Sequence, residues 1–292
     1  MTGEMMAQEL NSDVVDTARI DEYRTVGATV VRGAFTSDEV DLVERGIERN
    51  LQDPGPMFKV ASRGDDPGRF VEDFCNWRRI EEFGQFAFAS KAADIAGALM
   101  GSDQVRLYHD HMLVKEPGTQ QETPWHQDQP YYNVDGFMNC SMWMPVDAVP
   151  IESTLEFLAG SHLTGWRMPR SFMDNQAKWF PEGSLAELPR VEADRAGFDI
   201  RGWALEPGDA VFFHMLTLHH AYGVPGPRRR RAFSLRFLGD DMVHAPRPWT
   251  TSPAFDGLEG QILTGAAMEH ELFPVLRVRG IAADPPDERK RG

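Results

Sequence analysis

The 292-residue chain carries 41% hydrophobic and 10% aromatic residues, enough to bury a sizeable core, and a formal net charge of -15. That charge argues against a general affinity for nucleic acid or an anionic membrane surface, because both need a basic face. Cys75 and Cys140 fit neither a disulfide framework nor a Cys-x-x-Cys zinc site, no apolar run reaches the roughly 18 residues needed to cross a bilayer, and the acidic start lacks a basic leader, so a reducing cytoplasmic setting is expected.

Residues 1–17 and the tail 283–292 read as disordered, which leaves 18–282 as a single domain with a helical N-terminal part over 18–101. No internal repeat interrupts it. "GATVVRG" (27–33) is a short β-branched run, and in "TSDEVDLVERGIERNLQ" Thr36 and Glu39 stand at capping-box spacing ahead of apolar positions at helical intervals. A second helix is expected within "EEFGQFAFASKAADIAGALMG", closed by Gly101. From residue 104 to 245 the texture changes to short strand-like runs between turn residues, among them "QVRLYHDHMLVKEPG", "FMNCSMWMPVDAV", "GWALEPGDAVFFH" and "RRAFSLRFLGDD". Helices first and strands afterwards predict an antiparallel sandwich or barrel with helices packed outside it. Residues 163–200, rich in Pro, Gly and charge, read as an insertion near the mouth of a site.

The stretch "TPWHQDQPYYNVDG" (123–136) places His126 and Asp128 two apart, so on a strand both project to one face while Gln127 points away. Such a pair alone is more often a hydrogen-bonded histidine and a turn aspartate. A second cluster, His214, His219 and His220, supplies candidates for a third ligand, which would complete a two-His-one-carboxylate facial triad. Four consecutive arginines, Arg228 to Arg231, then lead into the alternating "AFSLRF". Most of them suit a solvated basic turn, but a strand alternating in and out can carry one guanidinium inward, where its fork matches a carboxylate. His109 and His111 also share a strand face, in structural or substrate-facing roles.

The chain resembles the phytanoyl-CoA dioxygenase (PhyH-like) family of iron(II)/2-oxoglutarate oxygenases over about residues 20–245. The resemblance rests on "WHQD" at 125–128, "GSH" at 160–162, and "PGDAVFFHMLTLH" at 207–219 followed eleven residues later by Arg230. It implies a mainly β fold with flanking helices around a double-stranded β-helix, the jelly-roll or cupin-like core. It also implies iron(II) held by His126, Asp128 and His219, 2-oxoglutarate held by Arg230 beside Trp143, and O₂ as the third reactant. Among the three downstream histidines only His219 has both of the family's spacings; His220 would face the opposite way and His214 would not ligate. The implied reaction is hydroxylation of an unactivated C–H of a small-molecule metabolite, with release of succinate and CO₂. Related halogenases lack the carboxylate that Asp128 supplies, so its presence implies hydroxylation or a desaturating or ring-forming variant.

The departures fall where substrate is read. "ESTLEFLAGSH" is one residue shorter than the family's usual stretch and has Ala159 in place of proline, so neither phytanoyl-CoA nor ectoine is implied as substrate. Gln129, Tyr131 and Tyr132 are the substrate-side candidates, with Phe137, Trp166 and Trp179 offering aromatic surface and Arg167 and Arg170 positive charge. A cupin-like metalloenzyme without 2-oxoglutarate and a non-catalytic jelly-roll binding or sensor protein are the alternatives, and succinate release separates them. The oligomeric state is left open by the sequence.

Overall fold

Helix α1 (Thr17–Val26) starts where the Asp16 carboxylate accepts a hydrogen bond from the Arg19 amide, 2.8 Å away, and stops at Gly27, whose φ of 86° no β-carbon would favour. Val15 is buried against the core just before it, so residues 14–17 belong to the fold rather than to a disordered arm. The computed structural model describes residues 14–170, 180–181, 183–224, 226–255, 257–258, 260–279 and 281–282. The rest of the expected arm, the tail 283–292 and Trp179 lie outside the described residues.

The run 28–31 pairs as strand β1 (Ala28–Val31). Helix α2 (Ser37–Gln52) has the expected capping box, with Thr36 and Glu39 each bonding the other's backbone, and it buries Val40, Val43 and Ile47. The single helix expected over 81–101 is two, α3 (Glu81–Ala89) and α4 (Ala92–Met100). Ser90 leaves helical dihedrals and its hydroxyl accepts from the Ala92 amide, a local bond that competes with continuation of the helix. No described helix is long and apolar enough to cross a membrane.

Strands β2 (Lys59–Val60), β3 (Phe70–Phe74), β4 (Gln104–Lys115), β5 (Thr123–His126), β6 (Val134–Asp135), β7 (Asn139–Pro145) and β8 (Leu155–Leu158) follow in order. They continue with β9 (Ile200–Gly202), β10 (Ala210–Phe213), β11 (His219–Ala221), β12 (Arg230–Leu238), β13 (Val243–His244), β14 (Val275–Val278) and β15 (Ile281–Ala282). The large antiparallel sheet runs β1-β10-β7-β12-β4-β14-β15, with β3 and then β2 added along the far half of β4. The small sheet runs β5-β11-β8-β9. Trp143, Val211 and Phe213 of the first pack against Leu155, Phe157 and Ala221 of the second, which makes the expected two-sheet jelly roll. Its strands reach beyond 104–245 at both ends, because β1 and β14 hydrogen-bond onto the large sheet.

Alternation along β12 separates the two layers of the molecule. Phe233, Leu235 and Phe237 enter the core shared with α2, α3 and α4, while Arg230, Ala232 and Arg236 face the space between the sheets. The segment 163–200 runs into β9, which pairs with β8, and its Leu188, Val191 and Phe198 pack on Trp125, Leu158 and Leu218, so the described part of this insertion seals one flank of the small sheet.

Candidate metal centre

The antiparallel register of β5 and β11 sets His126 directly opposite His219, with ring centroids 4.1 Å apart. Each ring is oriented by a carbonyl two residues before it: His126 Nδ1 lies 2.8 Å from Pro124 O and His219 Nδ1 lies 2.9 Å from Thr217 O. A nitrogen facing a carbonyl at that distance carries the proton, which makes Nε2 the lone-pair nitrogen of each ring. Burial, reinforced by neighbouring His126, pushes His219 down to about 3, so its ring is neutral at ordinary pH.

Asp128 joins them by a different route from the one a continuous strand would take. β5 ends at His126, and Asp128 adopts helical dihedrals at the start of a short 3-10 turn over Gln129–Tyr131. Gln127 does point away, as strand alternation predicts. Its side chain donates to Gly165 O and Leu216 O and accepts from the Arg167 amide, and these bonds pin the bend. Asp128 Oδ1 then lies 3.6 Å from each Nε2, and the three donor atoms lie within 4.8 Å of one another. Its Oδ2 accepts from Arg236 Nε at 3.0 Å and Ser141 Oγ at 3.1 Å. Burial alone would raise this carboxyl, but Arg236 and the two imidazoles hold it well below the usual carboxylate range. Two imidazole nitrogens and one ionised carboxylate oxygen aimed at a common point are the donor set a non-haem iron(II) ion takes.

The triad opens on a cavity of about 420 Å³ between the sheets. Arg230 lines it, buried, with Nη1 donating to Ser153 O and its guanidinium 5.8 Å from the Trp143 ring. No carboxylate among the described residues pairs with it, and burial pushes it down to about 10. Lys115 stands opposite in the β4–β12 register and also faces the cavity, its ammonium held by Gln121 O and Tyr222 O at 2.8 and 3.0 Å. The neighbouring arginines are not all a solvated turn. Arg228 is exposed, but Arg229 pairs with Glu48 and Glu116, and Arg231 with Glu44, Glu48 and Asp147, so they tie β12 to α2.

Of the substrate-side candidates, Tyr131 and Tyr132 line the cavity, and Gln129 is not among its lining residues. The Gln129 amide instead donates to Gly136 O and accepts from Asn139, which makes it a brace of the turn after Asp128. Phe137 packs on His214 at 4.3 Å, and Trp166 lies over Arg247; neither lines the cavity. Arg170 pairs with Glu187 and lends its carbonyl to the Tyr131 hydroxyl. His214 bonds Phe137 O, and His220 faces away from the cavity, stacked on Trp125 at 5.3 Å. His111 lines the cavity whereas His109 does not.

The sequence reading left out Arg236, Ser141, Lys115 and Glu72. Arg236 carried a usable signal: it stands six residues after Arg230 on one alternating strand, and even spacing puts both on the same face.

The model of the family described as Phytanoyl-CoA dioxygenase (PhyH) matches residues 23–232. An ectoine dioxygenase of Stutzerimonas stutzeri (strain A1501) is 27% identical over 260 residues, 82% of each chain. Among solved structures, the non-heme alpha ketoglutarate dependent carbocyclase SnoK from nogalamycin biosynthesis superposes with a TM-score of 0.70 at 22% identity, covering 90% of this chain and 97% of its own. The epimerase SnoN in complex with Fe3+, alpha ketoglutarate and nogalamycin RO gives 0.70 at 21% identity, covering 89% and 98%. At these identities the two structures share the fold with this chain.

Proposed function

This chain belongs to the phytanoyl-CoA dioxygenase family, and from that premise we infer that it is an iron(II)- and 2-oxoglutarate-dependent dioxygenase oxidising a C–H bond of a small molecule. The observation that carries this reading is the convergence of His126 Nε2, His219 Nε2 and Asp128 Oδ1, backed by a buried guanidinium in the same cavity that no carboxylate among the described residues pairs with. Bound together, iron(II), 2-oxoglutarate and O₂ supply the oxidising power and yield succinate and CO₂.

The protein's own residues bind, orient and exclude water. His126 and His219 offer Nε2 because Pro124 O and Thr217 O hold their protons on Nδ1. Asp128 offers one oxygen because Arg236 and Ser141 hold the other. Arg230 gives the distal carboxylate of 2-oxoglutarate a charge partner, with Trp143 as the flat wall beside it. Tyr131 and Tyr132 line the same cavity and would meet the substrate there. A reducing cytoplasmic setting agrees with two free cysteines, Cys140 buried and Cys75 half-buried.

The test is succinate release from 2-oxoglutarate under air with iron(II) and a mixture of small metabolites. The wild type should release succinate above the no-metabolite background. Turnover of a metabolite without consumption of 2-oxoglutarate would favour the cupin-like alternative instead.

A further inference from the structure

Glu72 has no part in the centre described above, yet it stands in the same cavity. Along β3, Phe70, Glu72 and Phe74 line that space, while Val71 joins the core under the helices. The neighbouring Asp73 is fully buried and satisfied, accepting from Asn50 Nδ2 at 2.8 Å and the Gly55 amide at 2.7 Å. Glu72 has no such company. Its close polar neighbour is His111 Nε2 at 3.3 Å, and beyond that contact no donor among the described residues hydrogen-bonds to its carboxylate.

His111 is equally exposed to the question of what completes it. It is buried, stacked on Phe74 at 3.9 Å, and neither ring nitrogen makes a well-formed hydrogen bond. A buried polar group short of hydrogen bonds is costly, so the His111 ring, with only the Glu72 carboxylate beside it and both facing the cavity, points to a ligand. The pair also shares its cavity with the reacting centre, since Glu72 and His111 line the same space as His126, Asp128 and His219. His111 stands four residues before Lys115 on β4, roughly 13 Å along the strand.

We propose that Glu72 and His111 form the substrate-recognition subsite of this cavity and bind a hydroxyl group of a substrate whose body is apolar. The ionised carboxylate only accepts, and the imidazole turns its N–H toward that carboxylate, so the ligand group must donate to Glu72. Lys59, opposite Glu72 in the β2–β3 register with its ammonium 4.8 Å from the Phe74 ring, already brings a positive charge to this wall, which favours a neutral donor over a second cation. The apolar body follows from Leu113, Phe74, Tyr131 and Tyr132 on the surrounding walls.

This assignment rests on the iron and 2-oxoglutarate reading, and one experiment separates the two. The protein is loaded with iron(II) and 2-oxoglutarate without oxygen, and its charge-transfer band is titrated with cyclohexanol, 1-indanol and 2-tetralol, each beside its methyl ether and with cyclohexylamine as the cationic control. At least one alcohol should perturb the band with about tenfold or better preference over its ether, the loss expected for one hydrogen bond to a charged group. Glu72→Leu should erase that preference while the band keeps its amplitude, and Glu72→Gln, whose amide oxygen still accepts, should retain part of it. His111→Phe provides the same comparison should Glu72→Leu fail to fold. Equal affinities for alcohol and ether, no binding by any alcohol, a preference that survives in Glu72→Leu, or tighter binding of the amine each overturns the subsite. Absence of the band in the wild type overturns the oxygenase reading and the subsite with it.

Discussion

The two oxygens of Asp128 have different partners, and that asymmetry shapes the centre: Oδ1 faces both imidazoles while Oδ2 is held by Arg236 and Ser141. Removing one member of a buried charge pair typically costs about 3–5 kcal/mol, because the other charge is left uncompensated. Arg236→Ala should therefore lower unfolding stability by that order in urea titration and weaken iron(II) binding as well; an unchanged midpoint would show that Ser141 alone suffices. At Arg230 the expected loss is of affinity for 2-oxoglutarate. Truncating one side of a desolvated charge pair costs roughly 2 to 5 kcal/mol, about 30- to 5000-fold in affinity. Arg230→Ala should raise the 2-oxoglutarate requirement steeply, and the exposed Arg228→Ala should barely move it, as read by anaerobic titration. His126, Asp128, His219 and Arg230 were legible because their spacing is a chain property. Glu72 was not, since β3 is buried on both faces and "FVEDF" shows no alternation that marks one carboxylate as cavity-facing and the other as structural.

Elements place those residues by register and by close approach. Gly27 ends α1, and a β-carbon there would come within 2.4 Å of Thr217 Oγ1, whose residue also supplies the carbonyl that orients His219. Gly27→Val should therefore disturb both the helix end and the ligand, lowering stability and iron(II) affinity together; iron binding at full affinity would show that β11 holds its ring without this contact. Thr36→Ala removes the capping box of α2, outside the cavity, and should cost about 1 kcal/mol in urea unfolding with iron(II) affinity unchanged. The capping box and the strand runs were readable from local chemistry. The break at Ser90 was not, because "AFASKAADIAGAL" keeps helical apolar spacing across it, and α1 escaped notice because it buries only Ile20 and Tyr23.

At the scale of the molecule, the large sheet stands between two environments. Its outer face is sealed by α2, α3 and α4, and its inner face is left to Arg230, Lys115 and the walls of the cavity, opposite the small sheet that carries both histidines. The jelly roll came from family resemblance and the strand count. What the sequence could not show was the outer reach of the sheet, since β1 and β14 join it from segments far from the core in the chain. By the proposed function, this inter-sheet space holds iron(II) on His126, Asp128 and His219 with 2-oxoglutarate alongside. Its most direct test is the charge-transfer band formed when iron(II) and 2-oxoglutarate are added together without oxygen, measured for the wild type, His219→Ala and His220→Ala. The wild type and His220→Ala should give the band, and His219→Ala should give none while keeping its unfolding transition. A band that survives in His219→Ala and vanishes in His220→Ala would contradict the account.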